Sequence, residues 1–310
     1  TVGGGIVSAL KASGTWNNLP DSDGDAVTDI TDLGLITDES DLVQKLTPAI
    51  KLLVDEISTD DFPLVLVNTE RHRYVCCPHG GAASAPDMLL CHPALLRSDK
   101  TAGDTPYDGE GFLFGRLAHF SLRDSVVVIF EFKIKCENDV WAEAEDYAKR
   151  FLNPHKSDGT LHNEGINRLR VIVADVDGFY LLEFVSGYPI SCLQASWNQR
   201  GSREALLRFM RPCREYPWIS AMAEAASKFG VTFYMGCFLG SGANGRVFEV
   251  KRGDESCAIK VAIGRDDSIF LSREAYILKE LSTHAGLLVP QCLGSFQNSV
   301  EHRACLLMSP

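Results

Sequence analysis

The feature that most constrains this chain is a glycine-punctuated stretch near its C-terminal end, Gly240-Ser241-Gly242-Ala243-Asn244-Gly245-Arg246-Val247. Such glycines let a backbone turn tightly and bring its N–H groups close to an anion. The residues that follow decide what surrounds the loop. Arg246-Val247-Phe248-Glu249-Val250 alternates polar and apolar side chains, which is the period of a half-buried strand. The glycines therefore join two strands. A dinucleotide-binding strand–loop–helix unit is excluded, because there the loop must open a helix.

Thirteen residues after Val247 stands Lys260, within Ala258-Ile259-Lys260-Val261, and fourteen residues further is Glu274, within the helical stretch SIFLSREAYILKEL. Lys260 is a compact cation suited to phosphate oxygens, and Glu274 can pair with it when the helix is docked. Val247 can cover one face of an adenine ring. The whole constellation, over about residues 233–310, resembles the N-lobe of a protein kinase. The resemblance implies an antiparallel sheet with a C-helix, and ATP and Mg²⁺ as cofactors. It makes Gly240, Ser241, Gly242, Ala243, Asn244, Gly245 and Val247 the ATP-covering loop, with Ala258 and Met308 also in the nucleotide site. Lys260 would hold the α- and β-phosphates, with Glu274 its partner. Cys305–Met308 would be the fifth strand, Met308 the gatekeeper, and Ser309-Pro310 the start of the hinge. The sequence contains no HRD-type catalytic loop and no DFG metal ligand. The expectation is a fragment ending at the hinge, with Ser/Thr phosphorylation of a protein substrate confined to the complete parent. The alternative is a pseudokinase-type interaction module.

A second signal lies in the middle. Pro86-Asp87 opens the apolar run Met88-Leu89-Leu90, and Glu131-Phe132-Lys133 lies in a strand whose alternation puts Glu131 and Lys133 on one face. Two carboxylates on neighbouring strands can bind a divalent cation, and a lysine beside them can orient a water. The order helix, strand with Pro-Asp, strand with Glu-x-Lys, helix, strand, strand resembles the PD-(D/E)xK nuclease fold over about residues 36–200. That resemblance implies a mixed sheet flanked by helices, a metal on Asp87, Glu131 and Glu143, and a catalytic Lys133. Glu56 is a weaker candidate for the family's first-helix acid. The gap of 44 residues between Asp87 and Glu131 requires an insertion, placed at 91–124. A Mg²⁺-dependent nuclease is thus a rival function. A nuclease-like domain followed by a kinase lobe resembles the fungal-type kinases and the kinase-bearing Crinkler effectors. This implies action inside a cell, in the cytoplasm or nucleus, after secretion into a host if the protein is an effector.

Composition limits these readings. The 310 residues include 41 acidic and 30 basic side chains, a formal net charge of -11. Such a chain does not attract nucleic acid over its whole surface, so a nucleic-acid partner would need a local basic cleft. No apolar run reaches the ~18 residues of a membrane span. Ten cysteines without a CxxC pair read as reduced thiols and an intracellular compartment.

The organisation expected is an acidic, loosely ordered segment at 1–35, a nuclease-like α/β or α+β domain at 36–202, a helical linker at 203–230 and the kinase lobe at 231–310. Within it, helices are expected over 39–58 (interrupted at Pro48), 137–152, 203–210 and 218–228. Strands are expected over 62–67, 73–77, 88–90, 111–120, 125–135, 169–176 and 179–185, the last two joined at Asp177-Gly178. Asp21, Asp23, Asp25, Asp29 and Asp32 have the spacing of a calcium loop, but Ala26 stands where glycine is wanted, so a solvated acidic linker is the expectation. His72, Cys76, Cys77, His79, Cys91 and His92 fit no standard zinc spacing and read as thiols and loop histidines.

Overall fold

Val126-Val127-Val128-Ile129-Phe130-Glu131-Phe132 is apolar at almost every position, so as a strand it must be covered on both faces. In the computed structural model it is the strand β4 (Val126–Phe132), and all seven residues are buried. The structure describes residues 3–20, 23–27, 30, 33–59, 63–69, 86–95, 126–136, 138–152, 168–211, 217–234, 237–242, 244–284 and 289–309. The expected strands at 73–77 and 111–120, Asp21, Asp29, Asp32, His72, Cys76, Cys77, His79 and Ala243 lie outside them.

The fold is α+β, with one mixed sheet and one antiparallel sheet. β1 (Trp16–Asn18), β2 (Val65–Asn68), β3 (Met88–Cys91), β4, β5 (Arg168–Ala174), β6 (Gly178–Val185) and β7 (Tyr188–Ser196) form a seven-stranded sheet in the order β1-β7-β6-β5-β4-β3-β2. Only the β1–β7 and β4–β5 pairs are parallel. Parallel neighbours need a crossover, and α3 (Asn138–Leu152) supplies it between β4 and β5.

Each face of this sheet has its own cover. Leu89, Ile129, Val171 and Phe184 pack with Val140, Trp141, Ala144 and Tyr147 of α3 and with Leu10 of α1 (Gly3–Ala12). On the opposite face, Met88, Phe130, Phe132 and Ile172 join a core with α2 (Glu39–Ile57) and α4 (Ser202–Met210).

Three stretches depart from the sequence reading. Helix α2 runs unbroken through Pro48. Proline there removes the bond to the Gln44 carbonyl, but Leu42, Leu46, Ala49, Ile50 and Leu53 stay buried along one stripe, and that burial outweighs the lost bond. Residues 1–35 contain α1 and β1. Trp16 anchors them edge-on to Trp141 at 5.5 Å, and Trp141 meets Tyr180 at 4.8 Å. The glycines and small polar residues around that single tryptophan conceal the anchor in the sequence. The third is β7, which carries Pro189 and is partly exposed, features that weaken its alternation.

The second sheet is antiparallel throughout, in the order β8-β9-β10-β12-β11. Its strands are β8 (Phe238–Gly242), β9 (Gly245–Arg252), β10 (Glu255–Ile263), β11 (Cys292–Asn298) and β12 (Arg303–Met308). α6 (Arg265–Ser282) follows β10 and covers one face with Leu271 and Ala275. α5 (Pro217–Phe229) covers the other: Ile219, Met222 and Ala225 pack with Phe248, Val250, Ile259, Val261 and Leu307. This core is continuous with that of α2 and α4.

His92 shows how tightly the core excludes charge. It is buried, its Nδ1 accepts the Ala94 N–H at 3.2 Å, and burial pushes its pKa down to about 4. A folded-state pKa below the unfolded value of 6.5 gives stability that is present above pH 6.5 and lost as pH falls toward 4, on the order of 3 kcal/mol. We expect urea unfolding at stepped pH to show this loss. His92→Asn, which keeps an acceptor for Ala94 but does not titrate, should flatten it.

Candidate functional site

Strand register places the side chains of the small sheet. Lys260 of β10 lies opposite Val247 of β9 and Leu306 of β12, and Ala258 lies opposite Met308. Directly opposed residues share a face, so Val247, Ala258, Lys260, Leu306 and Met308 all lie toward α6. On that helix Glu274 precedes the buried Ala275, and its Oε2 meets Lys260 Nζ at 2.6 Å. The lysine side chain is 14% exposed and the glutamate 38%, so the pair sits at the mouth of the groove between sheet and helix.

The glycine loop joins β8 to β9, the strand whose Val247 lies opposite Lys260. Gly242 pairs with Gly245, and Gly240 with Val247. Gly245 has φ 144°, and a Cβ there would stand 2.5 Å from the Val261 carbonyl oxygen. Both the backbone conformation and the close approach of β10 require glycine at this position. Leu239, beside Gly240, is 54% exposed, and the sequence reading did not single it out.

The large sheet gathers a second cluster. Asp87 precedes β3, and its Oδ2 accepts the Phe132 N–H at 2.6 Å. Glu131 is buried; its Oε2 accepts the Tyr147 hydroxyl at 2.9 Å and its Oε1 meets Lys133 Nζ at 2.9 Å. Lys133 also reaches Glu143 at 3.3 Å and Glu39 at 3.5 Å. Burial, reinforced by the charge of Asp87, pushes the Glu131 carboxyl well above its ordinary value, against the pull of Lys133. Burial works against the charge on Lys133 too, but Glu131, Glu143 and Glu39 outweigh it and hold the ammonium above the usual lysine value.

Asp87, Glu131, Lys133 and Glu143 are thus brought together from three segments distant in sequence. Glu56 is not among them. It pairs with Arg203, at the far end of the 19-residue α2 and about 25 Å along the axis from its start. The acid that α2 brings to the cluster is Glu39, in its first turn after the N-cap Asp38. In the sequence Glu39 reads as an acid suited to a helix N-terminus, which hides this second contact. Glu143 and Tyr147, four residues apart, share a face of α3, which brings both to Glu131 and Lys133.

The carboxylates are of the type that a hard cation takes. Their arrangement, however, closes on an ammonium: Glu39, Glu131 and Glu143 all face Lys133. Among the described residues no group of three or more His, Cys, Asp or Glu side chains converges as metal ligands do. Cys91 and His92 lie in the core. No described helix is long and apolar enough to cross a membrane. No known family model matches the chain, and no curated protein is significantly similar to it.

A raised pKa at Glu131 gives a signed expectation. Its contribution to stability is full below the unfolded value of 4.5 and is lost as pH rises through the higher folded value. The stability of the wild type relative to Glu131→Gln should therefore fall between pH 5 and pH 9 in chemical denaturation. A difference that stays flat across that range contradicts a buried Glu131 carboxyl beside Lys133.

Proposed function

We propose that residues 231–310 are the ATP-binding lobe of a protein kinase whose complete form phosphorylates Ser or Thr on protein substrates. The observation that carries this reading is the Lys260–Glu274 contact at 2.6 Å, with Lys260 opposite Val247 at the root of the glycine loop. The antiparallel order β8-β9-β10-β12-β11, with α6 inserted after β10, supports it. In this reading the loop N–H groups and Lys260 hold phosphate oxygens, and Glu274 fixes the ammonium in place. Val247, Ala258 and the half-exposed Leu239 offer apolar surface to the base, with Met308 at the back of the sheet face. Mg²⁺ accompanies the triphosphate as its counter-ion. Lys260→Met should lower the affinity of the 310-residue chain for a fluorescent ATP analogue at least tenfold. Glu274→Gln, which frees the lysine without removing it, should cost several-fold. Equal binding by wild type and Lys260→Met overturns the reading.

A second reading rests on a separate observation, the convergence of Asp87, Glu131, Lys133 and Glu143 on one end of a mixed sheet. It makes residues 36–202 a nuclease-like domain of the PD-(D/E)xK kind. Asp87 and Glu131 would hold Mg²⁺ only once Lys133 had withdrawn from Glu131, which it meets at 2.9 Å; the ion would supply Lewis-acid polarisation and the freed lysine would orient a water. The net charge of -11 weighs against nucleic acid as the partner. Asp87→Ala and Lys133→Ala should each abolish Mg²⁺-dependent cleavage of DNA. Cleavage that persists in both variants places the activity elsewhere. With both domains present, the chain would resemble fungal-type and Crinkler-effector kinases and act inside a cell.

A further inference from the structure

Successive residues of a strand point to opposite faces, and at the root of the glycine loop this separates two tasks. Val247 faces the Lys260 side of the sheet. Arg246, its neighbour, shares the other face with the buried Phe248, the face that α5 covers. Arg246 is 8% exposed, and its guanidinium carbon lies 4.1 Å from the ring centroid of Trp218, in the first turn of α5. It is paired in register with Ser241 on one side and Val261 on the other, so it holds the second strand of the loop at the point where that strand leaves the turn.

α5 is itself fixed to the same sheet by other contacts. Glu224 accepts from the Asn298 side-chain amide at 3.2 Å and lies 3.7 Å from Arg303, and Phe229 meets Phe296 at 5.9 Å. Its buried face belongs to the core that also contains α2 and α4. The Trp218 ring is half-buried against that core and offers a packed aromatic face.

We propose that Trp218 and Arg246 form a positioning strut that pre-organises the glycine loop for the phosphates of a bound nucleotide. The inference rests on the ATP-binding reading above. A loop built from glycines has little side-chain packing to order it, and closing it over phosphates costs conformational entropy. Pinning its second strand to α5 lowers that cost before the ligand arrives. A cation held over an aromatic face and shielded from water is strong enough to do so. The strut touches no ligand. It acts on the backbone of the turn, through its neighbour Gly245 and its register partner Ser241, and it places the large-sheet core in contact with the loop.

This role has a signature that simple destabilisation lacks. The strut serves the phosphates, whereas the base rests on Val247, Ala258 and Met308. Trp218→Ala should therefore weaken binding of Mg²⁺–ATP about tenfold while changing adenosine affinity less than twofold, both read by calorimetry on the 310-residue chain. Trp218→Phe, which keeps an aromatic face, should recover most of the ATP affinity. Arg246→Met, which keeps the stem and removes the charge, should reproduce the Trp218→Ala pattern, so the test does not depend on one variant folding. If ATP and adenosine affinities fall together in both variants, or neither falls, the strut is refuted while the nucleotide site stands. If the wild type binds ATP no better than Lys260→Met does, the ATP-binding reading falls and takes the strut with it.

Discussion

An antiparallel sheet with apolar side chains on both faces must be covered twice, and the small sheet of this protein meets that demand with two unlike helices. Ala262, Ala304 and Leu306 take α6 on one face, while Phe248, Ile259, Val261 and Leu307 take α5 on the other. The two covers differ in what they bury. α6 buries only Ser268, Leu271 and Ala275 and leaves Phe270, Tyr276 and Ile277 about half exposed or more. α5 is part of a core that reaches through α4 to α2 and the large sheet. The helix with the more exposed outer face carries Glu274, and the one built into the larger core carries Trp218.

The two lysine sites show what burial does to the same kind of pair. Lys260 and Glu274 meet near solvent, where an ion pair contributes modestly to stability and can open at low cost. Lys133 faces three carboxylates, one of them buried, and Glu131 resists ionisation there even with an ammonium at 2.9 Å. Desolvation of a carboxylate is the larger effect, and the extra acids Glu39 and Glu143 mainly secure the charge on Lys133. The first is a single pair that leaves its glutamate partly open to solvent. The second is a closed arrangement in which the lysine itself neutralises the acids, and a divalent cation would have to displace it.

Much of this was legible in the sequence, for identifiable reasons. The glycine loop and the strand after it are local patterns, with periods read over a few residues, and the structure has the loop between two strands. The grouping of Asp87, Glu131 and Lys133 followed from alternation on adjacent strands. What escaped were contacts between segments far apart in sequence. Glu39 and Glu56 stand at opposite ends of one helix, and nothing local distinguishes the acid that meets Lys133 from the one that meets Arg203. Trp16 reads as an isolated aromatic in a polar stretch because its partners are 125 and 164 residues away. Helix α2 passes Pro48 because tertiary burial overrides a local penalty.

Long-range packing also decides where one unit ends and the next begins. By sequence, residues 203–230 read as a connection, since their helices lie between two sheet-forming regions. Their buried side chains are Leu206, Leu207 and Met210 against the large-sheet side, and Ile219, Met222 and Ala225 against the small sheet. Arg170, from β5, donates to the carbonyls of Phe209 and Arg211 at 2.8 Å, satisfying carbonyls at the end of α4. The two described helices of this segment, α4 and α5, are therefore packed into cores at both sheets. Trp218 of α5 carries that packing on to Arg246, beside the glycine loop, because close-packed interiors transmit strain.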